Sequence, residues 1–153
     1  MNPWLRRLHL VLTIGGGFAG LALSLGTLGD SFRQSLLAGL VNVGVALYFL
    51  WAVVIGLRLA DDRASRRSFL WLYGVQVPVL SGPVIAYRLS LGAHVSVGVL
   101  GDSFHMSWQL GAQYSINLWA GELLWGVGVN LVALCMYFIT RRTMPSNNRW
   151  RGP

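Results

Sequence analysis

Few side chains in this sequence are of a type that could do chemistry, and most of those lie inside apolar runs. Glu122, Gly126 and Asn130 recur at four-residue spacing, which would place them in one stripe on a helix. An ionisable residue within a membrane span is a candidate contact for an ion or substrate. The structural interpretation of Glu122, a contact to Arg88 or Arg33 or a polar cap near the span's end, is preferred to that contact. Asn42 is the one strongly polar side chain of the run Ser35 to Leu57, with Ala38 and Ala46 four residues to either side. That spacing suits a hydrogen bond across a close-packed helix seam. Glu122, Asn130 and Asn42 together form the candidate intramembrane polar site.

Other chemistry lacks its partners. Gly-Asp-Ser occurs within Leu28–Phe32 and again within Leu100–Phe104, and it also opens a motif of one hydrolase class. A serine nucleophile needs a histidine held against it by an orienting carboxylate. Gly, Asp and Ser are equally the residues that tight turns use, and the turn is the preferred interpretation. His9, His94 and His105 suggest neither a metal set nor a haem-bridging pair. Cys135 is the single cysteine, so internal disulfide and CxxC chemistry are excluded. No enzymatic activity and no cofactor are expected.

The elements that would hold these residues are read from hydropathy and period. The chain has 153 residues, 54% of them hydrophobic and 11% charged, with a mean hydropathy of +0.55. Soluble domains carry roughly 25% charged residues, so this composition points to a membrane. Four apolar runs, Leu8–Leu28, Ser35–Leu57, Phe69–Tyr87 and Leu118–Ile139, approach the ~20 residues that cross a bilayer. They predict four transmembrane helices. Pro78 and Pro83 would break the third helix, as in transporters that expose helix backbone to substrate.

All 12 basic residues are arginine and the net charge is +7. Ten of the arginines would share one side of such a membrane, leaving Arg33 and Arg88 on the other. The positive-inside rule then places both termini in the cytoplasm of a bacterial inner-membrane protein. No stacking platform interleaves with these arginines, so nucleic acid is not an expected partner.

Between the third and fourth runs the period changes to two. Leu89, Leu91, Ala93, Val95, Val97 and Val99 alternate with polar residues or glycine, and so do Met106, Trp108, Leu110, Ala112, Tyr114 and Ile116. This alternation predicts a long antiparallel β-hairpin over 88–117 on the periplasmic side. Folding about Gly101–Phe104 sets Val99 against Met106, Val97 against Trp108 and Val95 against Leu110. The apolar face, represented by Leu91, Val95, Val97, Val99, Met106, Trp108, Leu110 and Tyr114, needs burial and is the candidate interaction surface. The two copies of Leu-Gly-Asp-Ser-Phe, with similar flanking features, further suggest a duplicated helical hairpin.

The expected architecture is therefore an all-α membrane domain over 1–142 with an inserted β-hairpin, followed by a disordered cytoplasmic tail over 143–153. The expected function is that of a non-enzymatic assembly subunit of a membrane complex. Its partners would be membrane lipids and either further copies of itself or other membrane or periplasmic proteins. The alternative is a small transporter or channel using Glu122 and the broken third helix.

Overall fold

The computed structural model describes residues 2–118, 121 and 123–144. The chain opens with helix α1, Pro3–Gln34, started by Pro3 in its first turn and by Asn2, whose side chain accepts from the Trp4 N–H at 3.0 Å. A π-helical turn over Val11–Gly15 interrupts its regular winding. Ser35 is extended and ends α1, then caps helix α2, Leu36–Ala60, by accepting from the Ala38 N–H at 3.0 Å. At 1.5 Å per residue these helices run about 48 and 37 Å, longer than the ~30 Å hydrocarbon core. They are the two helices, among the described residues, long and apolar enough to cross a membrane.

The third and fourth expected spans are not transmembrane helices. Helix α3, Arg66–Gly74, and helix α4, Leu131–Thr143, reach only about 13 and 20 Å. Beyond Gly74 the chain turns at Gln76 and enters strand β1, Pro78–Ser81. Proline cannot donate to a helical ladder, and Pro78 takes the first position of a strand, where none is required. On the other side, strand β6, Gly126–Asn130, precedes α4. Its sequence Gly-Val-Gly-Val alternates with period two, a strand signal inside a run whose hydropathy resembles a span.

The remaining strands are β2, Ile85–Ser90, β3, Ala93–Leu100, β4, Ser103–Leu110, and β5, Gln113–Leu118. Together they make a six-stranded sheet in the order β4-β3-β6-β1-β2-β5, antiparallel throughout. The predicted hairpin is present as a ribbon from Ile85 to Leu118, but it is not a lone two-stranded element, since β1 and β6 pair with its arms. Its register also differs from expectation by two residues: Val97 pairs with Met106, Val95 with Trp108 and Leu89 with Tyr114. The loop is two residues, Gly101-Asp102, with Gly101 at φ +58°, the backbone a tight hairpin asks of its first loop residue.

The ribbon bends at Gly92 and Gly111, at φ +85° and +106°, where the Gly111 N–H donates to the Gly92 carbonyl at 2.7 Å. Beyond this corner its two arms diverge, and the β1–β6 pair fills the gap between them. The corner seats on the helices. Leu89, Leu91 and Ala112 join Leu12, Phe49, Phe69, Leu72, Tyr73 and Met136 in one buried core. Gly17 and Gly20 let α1 approach α2 closely enough for Val53 and Phe49 to fill the space a side chain would occupy.

The repeated pentapeptide marks no repeated structure. Leu28–Phe32 is helical within α1, whereas Leu100–Phe104 forms the β3–β4 turn and its flanks. Thr143 closes α4 and Met144 is buried, while the rest of the expected tail, 145–153, lies outside the described residues.

Candidate functional site: the two faces of the sheet

Alternation along each strand gives the sheet one apolar and one polar face, because paired residues share a face. The apolar face carries Leu89 and Tyr114 near the helices and Val97, Val99, Val127, Met106 and Trp108 away from them. The helices cover only the first part. Strand β4 lies at the sheet edge and is exposed along almost its whole length, with Phe104 at 73%, Trp108 at 74% and Leu110 at 78% of full exposure.

The polar face holds a shallow recess of about 100 Å³, lined by Ser81 from β1, Arg88 from β2, Ser96 from β3 and His105 from β4. Its floor is glycine: Gly98, Gly126 and Gly128 line it too. A Cβ on Gly126 would come within 2.8 Å of the Val99 carbonyl oxygen, and one on Gly128 within 3.1 Å of the Val97 carbonyl oxygen. The close β3–β6 pairing therefore requires these positions to be bare, and their bareness leaves the recess open. No carboxylate lines it among the described residues.

Behind the recess the polar face is buried. The Ser96 and Ser107 hydroxyls bond each other at 2.8 Å across β3 and β4. Ser90 donates to the Ala93 carbonyl at 2.9 Å. At the corner, Gln76 accepts from the Leu91 N–H at 2.9 Å and donates to the Leu72 carbonyl at 2.8 Å, joining α3 to the bend. His94 is 1% exposed, and neither ring nitrogen has a hydrogen-bond partner among the described residues. Burial, and secondarily the Arg88 charge, hold its imidazole below the ordinary histidine pKa. On the opposite face Tyr87, whose hydroxyl donates to the Val75 carbonyl at 2.6 Å, is pushed up to about 12 by burial.

The residues singled out in the sequence separate into different environments. Asn42 is buried between α1 and α2, donating to Thr27 Oγ1 at 3.1 Å and Ser31 Oγ at 2.9 Å and accepting from the Tyr114 hydroxyl at 3.3 Å. Asn130 is also buried, but it ends β6 opposite Ser96, and its Oδ1 accepts from the Ala133 N–H at 3.4 Å to cap α4. Gly126 and Asn130 share a face of β6, not a helical stripe, and Glu122 lies outside the described residues. Of the hairpin's apolar set, Leu91 is buried in the core, Tyr114, Val95 and Val97 are half-buried, and Val99, Met106, Trp108 and Leu110 are exposed. Three of those four lie on β4, adjoining the open edge.

Arg88 and His105 were not paired by sequence reasoning. Four β-pairings, through β3, β6 and β1, bring their strands into one recess, and only their shared parity on the polar face hinted at it. Asp102 and His105 also have the Asp-x-x-His spacing of a serine hydrolase. No hydrogen bond joins Asp102, Ser103 and His105 among the described residues, and all three are exposed on the hairpin. No group of three or more potential metal ligands occurs among the described residues. No family model matches this sequence, and neither a curated protein nor a solved structure matches it.

Proposed function

We propose that this chain is a non-enzymatic assembly subunit of the inner membrane, and that its first partner is a second copy of itself, joined through the open edge of β4. One observation carries this proposal: β4 is an edge strand whose apolar side chains are uncovered. An unpaired edge is a template for another strand. The strand is self-complementary. A two-fold axis through Ser107 sets Met106 against Trp108 and Phe104 against Leu110 on one face, and His105 against Gln109 on the other. Such pairing continues the sheet and keeps its apolar face on one side.

The position of the sheet supports burial of that edge. The corner meets α1 at Gly16, about halfway along a helix long enough to span a bilayer. An edge that lies beside lipid has no water to satisfy its open backbone groups, which then cost several kcal/mol each. Both termini are assigned to the cytoplasm, since Arg6, Arg7, Arg58, Arg63, Arg66, Arg67, Arg141 and Arg142 lie toward the ends of the helices that share that side.

Mass measurement of particles extracted directly into native-lipid nanodiscs, with co-purifying proteins identified, tests this proposal. A homodimer or larger defined complex is expected. A monomer whose β4 amides exchange as fast as an unpaired edge would refute it. The alternative of a small transporter or channel rests on Glu122, which lies outside the described residues, and on a broken third helix, in whose place stand the short helix α3 and strand β1.

A further inference from the structure

The recess on the polar face has the chemistry of an anion site. Arg88 carries a permanent charge, and among the described residues no carboxylate lies within salt-bridge distance of it. It is half-buried on a strand whose neighbours toward the corner, Leu89 and Ser90, are buried. A cation partly withdrawn from water is costly unless an opposite charge or several acceptors meet it. Here the other polar side chains of the lining are hydroxyls and an imidazole, set among apolar ones that include Val79 and Leu100. Ser81 and Ser96 can donate to an anion's oxygens, and His105 can donate from a ring nitrogen.

Gly98, Gly126 and Gly128 add no side chains of their own to the floor, where the Leu100 side chain lies over Gly126. About 100 Å³ is space for several waters, and so for one compact oxyanion group. Buried His94, at 1% exposure with both ring nitrogens unpartnered among the described residues, shares the polar face of the sheet with Arg88.

We infer that Arg88, Ser81, Ser96 and His105 bind a phosphate group, delivered either as free phosphate or as the headgroup of an anionic lipid. The guanidinium would form paired hydrogen bonds to two phosphate oxygens, with the serine hydroxyls and the His105 imidazole completing the shell. The site is independent of self-association through β4, because the recess is built within one copy.

The test uses the full chain, with histidine ring nitrogens labelled with 15N, in nanodiscs of phosphatidylcholine. Sodium phosphate is titrated at constant ionic strength against chloride, and a parallel series replaces phosphatidylcholine stepwise with phosphatidylglycerol. Saturable shifts of the His105 and His94 resonances are expected in one of the series. Saturation by phosphate assigns a soluble anion, and saturation by phosphatidylglycerol alone assigns a headgroup.

Arg88→Gln should weaken the response at least about tenfold, as loss of a charge-assisted hydrogen bond implies. Arg33→Gln, altering an arginine outside the recess, should leave it intact. Arg88→Lys keeps the charge without the planar fork and should give an intermediate affinity, which also provides a reading should the glutamine variant fail to fold. No saturable shift in either series, or shifts unchanged in both Arg88 variants, overturns the inference.

Discussion

Gly16 of α1 and Gly92 at the ribbon's corner meet backbone to backbone: a Cβ on Gly16 would lie 2.9 Å from the Gly92 nitrogen and 2.9 Å from the Leu91 carbonyl carbon. This contact fixes the sheet's position along the helix. Gly92 itself needs its left-handed backbone, and Leu12 covers it on the helix side. Gly16 cannot acquire a side chain without moving the sheet away from α1, and Gly92 is held to glycine by its backbone conformation.

Gly16→Ala should therefore destabilise the protein by about 1–3 kcal/mol, the usual cost of overpacking against a backbone that cannot yield. Gly44→Ala is the control, because nothing lies within 4 Å of its added Cβ. There the helix propensity of alanine should leave stability unchanged or raise it by up to about 1 kcal/mol. Denaturant titration in mixed micelles measures both. Equal behaviour of the two variants would remove Gly16 as the seat of the corner.

Asn42 ties α2 to α1 and to the sheet through Thr27, Ser31 and the Tyr114 hydroxyl. Interhelical polar contacts of this kind contribute about 0.6–2 kcal/mol in membranes. Asn42→Leu should cost that much, and a double-mutant cycle with Ser31→Ala should show coupling, since the two side chains bond directly at 2.9 Å. Additive losses would mean that the bond contributes nothing to stability.

His94 supplies a pH dependence whose sign follows from its environment. Burial first, and the Arg88 charge second, lower its pKa in the folded chain relative to the ordinary value of 6.5. Below 6.5 the unfolded chain binds the proton more readily than the folded one, so protonation favours unfolding. Stability should be level above that pH with respect to this group, and should fall as pH drops from 6.5 toward the lowered value. Unfolding titrations at a series of pH values should show this slope in the parent chain and a smaller one in His94→Gln. An unchanged slope would assign the dependence to other groups.

The sequence made some of this fold legible and concealed the rest for identifiable reasons. Alternation over 88–117 revealed strands because a helix does not produce period two. It could not fix the register, since a slip of two residues leaves every side chain on its original face. Only the Gly101-Asp102 turn distinguishes pairing of Val97 with Met106 from pairing with Trp108. Hydropathy predicts spans in the third and fourth runs because its sums do not distinguish a short helix joined to apolar strands from a single long helix. In the third, Pro78 and Pro83 indicated the break; in the fourth, Val127 and Val129 alternate with glycine. The recess of Arg88 and His105 depends on long-range strand order, for which one sequence carries no local signal.

Self-association through β4 has a chemical test at the proposed axis. In an antiparallel pair centred on Ser107, that residue faces its own symmetry mate, with Cα atoms about 4.5–5.5 Å apart. This separation falls within the range that a disulfide bridges. At ~3.4 Å per residue, the two Asp102 residues, each five positions from the axis, would be about 34 Å apart. Ser107→Cys in a Cys135→Ser background should therefore form a covalent dimer under mild oxidation in native membranes, while Asp102→Cys in the same background should not. The native Cys135 must be removed first because it is exposed and would cross-link on its own account. Cross-linking at Asp102 but not at Ser107 would replace the two-fold β4 pairing with a different contact, and cross-linking at neither would leave the edge unpaired. A covalent dimer at Ser107 alone would place two sheets edge to edge, with Met106 and Trp108 of the two copies against each other across the junction.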